Sequence, residues 1–434
     1  MSDNHKRRSV TSVEEDIISD MPELLIVSVL ERLPIEDAVR TSVLSKKWRY
    51  KWTTIREFNF RGQFLQKLSN REAFHHIGFI RIINKIMIGH QGPILKFHLE
   101  IPNIVLDSFQ EIDQWMLILS RNNVKKLRLY NLNRTYPLPS CVFSCLELTT
   151  FGLYNCIFNP PPEFKGFPNL GIIAFKNIIF GNNLSRSIIN LPQLKFLYLH
   201  TCVNVNNLNI KAVKLRTLRV MSCPDAMLLR LLHSKHLHVV HICLLNPIED
   251  LHMAVERFNL MMMLSKMPNI KSFIMDGYFL KFLGAQKFPL WLPHAVKLLK
   301  EMEFQTFNFG DLDQVQKALC ILQNSPNLEV LRVTNVHMGP MADLELTYDC
   351  LKAFDSLYQT PFMLQTIEIT PVEGSRPELL FIKLLLNRSP HLESMIIRPR
   401  ATADAKKIIT IAKDVLMFPR ASNKAILVYL DPQP

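Results

Sequence analysis

Glycine is scarce in this chain, 13 in 434 residues, and no glycine-rich phosphate cradle can be assembled from what there is. Neither Gly-x-Gly-x-x-Gly nor Gly-Lys followed by Ser or Thr occurs, which excludes the usual nucleotide-binding loops. His-Glu-x-x-His and Gly-x-Ser-x-Gly are missing too, so neither a zinc-protease helix nor a nucleophile elbow is available. Only eight cysteines occur and none forms a Cys-x-x-Cys pair. That excludes a disulfide framework and fits a reducing compartment. The longest apolar runs, 260–264 and 425–430, fall far short of the roughly 20 residues a membrane span needs. Residues 1–12 are polar, which predicts no secretory leader. The expectation is a soluble intracellular protein with no membrane partner, cytoplasmic, nuclear or both.

No block of five basic residues accompanies the net charge of +13. Residues 1–60 hold ten basic and ten acidic side chains, so the excess is spread over the remainder. A spread excess points to nucleic acid only weakly. With 48% hydrophobic and 21% charged residues the chain has globular composition and can bury a large core.

The first such region is 16–60. Asp20-Met21-Pro22-Glu23 reads as a helix start, with a capping side chain, a first-turn proline and a carboxylate at the positive end. The helix through Leu33 has only Ser28, Glu31 and Arg32 as polar members, so it is apolar over far more than one stripe. Pro34 ends it. A second helix at 35–41 and a third around 42–52 are expected, the last carrying Val43, Leu44, Trp48 and Trp52. Three short helices make a marginal core. The surplus apolar face therefore packs on the rest of the chain or docks another protein, and the residues alone leave both open.

Residues 18–34 and 38–52, above all Thr41-Ser42-Val43-Leu44-Ser45-Lys46-Lys47-Trp48-Arg49, resemble an F-box. The resemblance implies docking on a Skp-family adaptor and, through it, a cullin. Carried over by position, Pro22, Leu25, Ile26, Val29, Leu30, Pro34, Val43, Leu44 and Trp48 would supply the contacts. Met21 stands where the family more often has leucine, a volume-conserving change.

From residue 124 a template Leu-x-x-Leu-x-Leu-x-x-(Cys or apolar) recurs. It is anchored at Val124, Leu148, Leu170, Leu194, Leu215, Leu237, Ile270, Leu299, Leu328, Leu364 and Leu392, with a looser copy at Ile94. Anchors are 21–24 residues apart up to Leu237 and 28–36 beyond it. Leucine-rich repeats have this period and strand signature. Pro168, Pro192, Pro268, Pro326 and Pro390 each stand two residues before an anchor, where proline stops the incoming segment and sets up extended chain. Cys156, Cys202 and Cys223 share the ninth position, expected to turn inward. Helical spacing appears at 64–88, 107–120, 311–324 and 379–387, and Met261, Met262 and Met263 fall in a helical insert. The fold class that follows is α/β: a small three-helix F-box, then a curved leucine-rich-repeat solenoid with a parallel concave sheet. The expected division is a disordered tail at 1–15, the F-box at 16–60, the solenoid at 61–345 and a C-terminal region at 346–434.

Residues 364–398 and 416–425, with 91–97 and 112–129, are similar to the plant F-box/FBD/LRR-repeat family. The resemblance makes the C-terminal region FBD-like. It implies a substrate-recognition subunit of an SCF-type ubiquitin ligase that is not itself catalytic, with repeats that capture a protein target for ubiquitination. The competing reading is a non-ligase scaffold or a nucleic-acid-binding solenoid. Positions three, five and seven of the template point onto the concave sheet. In the early copies they add Lys126 and Met221 to Arg128, Tyr130, Tyr154, Lys176, Phe196, Tyr198, His200, Arg219 and His241, these nine being the expected target contacts. In the later copies they are Asp276, Glu301, Glu303 and Glu368. His233, His236, His238 and His241 are the best metal candidates, but strand alternation sets His238 and His241 on opposite faces. His75-His76 is weaker still, because helical neighbours diverge. No metal and no cofactor is expected, and Lys6-Arg7-Arg8 is read as tail rather than as an import signal.

Overall fold

The structure is a computed structural model that describes residues 21–62, 64–66, 76–103, 108–186, 188–223, 234–245, 264, 267–283, 296–334, 336, 344–401 and 404–432. The expected tail, Lys6-Arg7-Arg8, His75, His233 and the Met261-Met262-Met263 insert lie outside these residues. The chain forms two compact units, 1–134 and 135–434.

In the first unit, helices Glu23–Leu30 and Ile35–Arg40 begin at Pro22 and Pro34, whose carbonyls accept the first helical N–H groups. The expected third helix is instead two short 3-10 turns, Thr41–Val43 and Lys51–Thr54. Hydroxyls explain the break. Thr41 Oγ1 donates to the Ala38 carbonyl at 2.7 Å, Ser42 Oγ to Val39 at 2.6 Å and Thr53 Oγ1 to Tyr50 at 2.6 Å. These local bonds compete with the helical ladder.

Three parallel strands follow: β1 (Glu57–Phe60), β2 (Lys96–Ile101) and β3 (Lys126–Asn131), with Glu57 opposite Lys96 and Lys96 opposite Lys126. Helices His76–Gly89 and Gln110–Ser120 alternate with them, in the two stretches where helical spacing was expected. Trp115 Nε1 donates to Asn84 Oδ1 at 2.6 Å and so joins the two helices. The F-box runs into this sheet without a linker. The Thr53 carbonyl accepts from Gln91 and Gly92, and Arg56 N–H donates to Glu31 Oε1. A Cβ on Gly89 would come within 2.8 Å of the Trp52 ring. The sequence-based boundary at 60/61 thus falls inside one compact unit.

The second unit carries β4 (Tyr136–Pro137), β5 (Thr150–Phe158), β6 (Ile172–Phe180), β7 (Ile189–Asn190), β8 (Phe196–His200), β9 (Ile210–Lys211) and β10 (Thr217–Met221). Then come β11 (Val239–Cys243), β12 (Ser272–Asp276), β13 (Glu301–Gln305), β14 (Val330–Thr334), β15 (Thr366–Val372), β16 (Ser394–Pro399) and β17 (Ile426–Tyr429). The long sheet runs β5-β6-β8-β10-β11-β12-β13-β14-β15-β16-β17, every pair parallel; β4 lies beside β5, and β7 pairs with β9.

Every template anchor is buried, and each precedes its strand by two residues. The early repeats close through short 3-10 turns such as Ser140–Ser144 and Asn182–Arg186. Full helices, Leu312–Gln323, Leu344–Leu357 and Arg376–Arg388, appear where anchors are 28 or more residues apart, because a three-turn helix needs the extra chain. Asn155 and Asn177, within β5 and β6, and Thr201, Ser222 and Thr306, just after β8, β10 and β13, adopt positive φ of 48–58° at position eight. That left-handed step turns position nine inward: Cys156, Ile178, Cys202, Cys223 and Phe307 are all buried. No helix among the described residues is long and apolar enough to cross a membrane.

Candidate protein-interaction surfaces

Two surfaces merit attention, one in each unit. On the first helix the spacing i, i+4 sends Ile26 and Leu30 inward, where they are buried, as are Ile35, Ala38 and Trp48. These are the core of the small module. Ile26, Leu30 and Trp48, expected as direct contacts, are therefore core residues of the module rather than surface ones. Leu24 is 80% exposed, Leu25 55%, Val43 85% and Leu44 65%, with Val29 also outside. Pro22 is exposed and Pro34 half-buried. Lys51 Nζ meets Glu23 Oε1 at 2.6 Å and ties the last turn of the module to its first helix. Leu24 and Tyr50 belong to this apolar surface and were missed in sequence. The signal for Leu24 was its place beside Leu25, off the Ile26–Leu30 stripe. Exposed apolar side chains in this number on one small charged module are a feature that interaction surfaces share.

In the first unit Arg128 and Lys126 are exposed on β3, and the Arg61 guanidinium lies 5.9 Å from the half-buried Tyr130 ring. His98, opposite Arg128, is surrounded by cations. Burial, then the charges of Arg128, Lys96 and Arg61, push its pKa down to about 4.

In the second unit, alternation places Tyr154, Lys176, Phe196, Tyr198, His200 and Arg219 on one face of β5, β6, β8 and β10, in register. Lys176 Nζ stands 5.5 Å from the Tyr154 ring centroid, and the Arg219 guanidinium 5.9 Å from that of Phe196. Such stacking holds each cation over an aromatic face. No concave position from Thr150 to Cys243 carries a carboxylate. His200 is held below its usual pKa by burial and by Lys176. His241 is buried, and burial, followed by the charge of Arg219, lowers its pKa as well.

The expected acidic half is smaller than its composition. Asp276 is buried and caps the helix Gly277–Phe282: Oδ1 accepts from Phe279 N at 2.8 Å and Oδ2 from Leu245 N at 2.7 Å. Position seven turns back there because a helix starts at the next residue, and Asp276-Gly277 was the capping signal. Glu368 pairs with Arg332 at 3.7 Å. Glu303 accepts from Gln305 and Thr334, and Glu301 is exposed.

His236 is exposed and His238 half-buried, with the His238 ring turned to the His236 carbonyl. Among the described residues no three His, Cys, Asp or Glu side chains are grouped to hold a metal.

Residues 18–59 match the F-box domain, and residues 112–333 match the repeats of the family described as FBD-associated F-box protein At5g56370, LRR repeats. The F-box/FBD/LRR-repeat protein At1g13570 of Arabidopsis thaliana is 34% identical over 429 residues, 96% of this chain and 98% of the relative. The F-box/FBD/LRR-repeat protein At5g56420 of the same plant is 24% identical and covers 49% of this chain and 50% of its own length. With an F-box face, a buried ladder of anchors and a relative matched from end to end, this chain belongs to the F-box/FBD/LRR-repeat family.

Proposed function

We propose that this protein is a substrate-recognition subunit of an SCF-type ubiquitin ligase, working in the cytoplasm, the nucleus or both. The apolar face of Leu24, Leu25, Val29, Val43 and Leu44 docks a Skp-family adaptor and, through it, a cullin. That face carries the reading, because burying one such leucine is worth roughly 1.5–3 kcal/mol and these side chains are exposed among the described residues. Functionally the chain divides into the F-box at 16–60, the repeats at 61–345 and an FBD-like continuation at 346–434.

The repeats hold the protein target on the concave residues Tyr154, Lys176, Phe196, Tyr198, His200, Arg219 and His241, and Arg128 and Tyr130 offer the same chemistry in the first unit. Aromatic and arginine side chains concentrate binding energy because they bring area and directed contacts at low entropic cost. The chain contributes proximity rather than chemistry: ubiquitin transfer occurs on other subunits, and the receptor raises the target's effective concentration there. Co-expression with a Skp-family adaptor tests the assignment, expecting a stoichiometric complex; failure to co-purify would overturn it. The scaffold or nucleic-acid reading rests on the net charge of +13. It would show as binding that weakens steeply with salt.

A further inference from the structure

Along the fifth template position of the second unit the registered neighbours are Tyr198, Arg219, His241, Ile274, Glu303 and Arg332, on β8, β10, β11, β12, β13 and β14. Charge reverses once within this row before the Arg332–Glu368 pair closes it. Arg219 and, two strands earlier, Lys176 are engaged only with aromatic rings, and no ion pair among the described residues reaches them. Glu303 accepts hydrogen bonds from the neutral Gln305 and Thr334 and has Arg332 opposite it, the latter paired with Glu368, and Glu301 stands exposed on the same strand. Between the poles lie buried His241 and half-buried Ile274, neither offering a charge at neutral pH.

We infer that this face takes a bipolar extended peptide segment, with a carboxylate seated against Arg219 and Lys176 and a basic side chain against Glu303 and Glu301. The inference rests on the receptor reading and names the chemical class of its target. Arg219 and Glu303 are three strand steps apart, about 14 Å at roughly 4.8 Å per step. An extended chain advances about 3.4 Å per residue, so acid and base stand four residues apart when the segment crosses the strands. Turned the other way, the segment would set each charge against a pole of its own sign, which fixes its direction. A nucleic acid strand fits worse, because its uniform negative charge would meet the two glutamates.

The test pans a random linear 12-residue peptide library against the full chain co-expressed with its adaptor. The expected result is enrichment of sequences with Asp or Glu four residues from Lys or Arg in one direction. Binding of a selected peptide should fall at least tenfold in Arg219→Glu and in Glu301→Lys. It should return in the double variant for a peptide with the two charges interchanged. Arg219→Gln and Glu303→Gln, which introduce no repulsion, should each lose a smaller factor and guard against a folding artefact. No enriched spacing, capture indifferent to all four variants, or preferential capture of a 12-nucleotide single strand would each overturn the inference. Adaptor co-purification in the same samples reports separately on the receptor reading, since only its loss would count against that.

Discussion

Leu25 and Leu30 lie five positions apart on one helix, and the first is 55% exposed while the second is fully buried. The two positions separate docking from folding. Leu25→Asp should abolish capture of a Skp-family adaptor and leave the thermal melt unchanged. Leu30→Ala should destabilise the first unit by about 2–5 kcal/mol through lost packing and the cavity left behind. Pull-down and thermal denaturation on the same samples check both. Trp48, being buried, belongs with Leu30, so a polar residue there should unfold the module rather than leave a folded non-binder.

Thiol reactivity should follow depth. Cys156, Cys202 and Cys223 are buried at the inward-turned ninth position, while Cys141 and Cys350 are half-buried. Burial pushes the Cys145 thiol up to about 12 and Cys156 beyond that, so little nucleophilic thiolate forms at neutral pH. A bulky maleimide read by mass spectrometry should modify Cys141 and Cys350 first, and the ninth-position thiols only after denaturant. Early labelling of Cys202 or Cys223 would break the repeat register.

Replacing Tyr198 and Arg219 together by alanine should weaken target binding by about 2 kcal/mol or more. Both side chains project from β8 and β10 without entering the core, so adaptor capture and melting temperature should not change. Target capture by the double variant at wild-type affinity would move the site off this strip.

His98 makes stability pH-dependent in a defined direction. Its folded pKa, pushed down to about 4 by burial and by Arg128, Lys96 and Arg61, is below the ordinary 6.5 of the unfolded chain. The unfolded state therefore binds its proton first. The contribution of neutral His98 is complete above pH 6.5 and is lost as pH falls from there towards 4. Urea titrations across pH 4–7 should show a shallower acid decline for His98→Asn than for the natural chain. Equal slopes would contradict it.

Much of the fold was legible because the anchors are buried leucines in one register, with proline two residues ahead in five copies. Apart from the two-residue strands β4, β7 and β9, two strands escaped the template and explain its limits. β1 keeps a buried Ile55 two residues before its first residue, but it lies inside the segment whose helical pattern dominates. β17 lies in the apolar run 425–430 but has Lys424 where an anchor belongs, so the template passes over it. At the candidate surfaces, the burial of individual side chains was harder to read from the sequence. Ile26, Leu30 and Trp48 were expected as contacts from their positions in the F-box resemblance, which does not show which stripe of the helix faces in. Asp276 looked like a concave acid because alternation takes no account of a helix starting at the next residue.

The hydrogen bonds from Gln91 and Gly92 to the Thr53 carbonyl bear on how the two functions can be separated in the cell. A substrate trap is commonly made by deleting the adaptor-binding module. A chain cut after residue 60 would also lose β1, leaving the long backbone edge of β2 unpaired and Phe97 and Leu99 without their neighbours Phe58 and Phe60. Such a fragment would aggregate through that edge, and its silence would be mistaken for loss of target recognition. On the proposed function, charged substitutions at Leu24 and Leu25 should disconnect the adaptor while keeping the sheet whole, which a truncation at residue 60 cannot do.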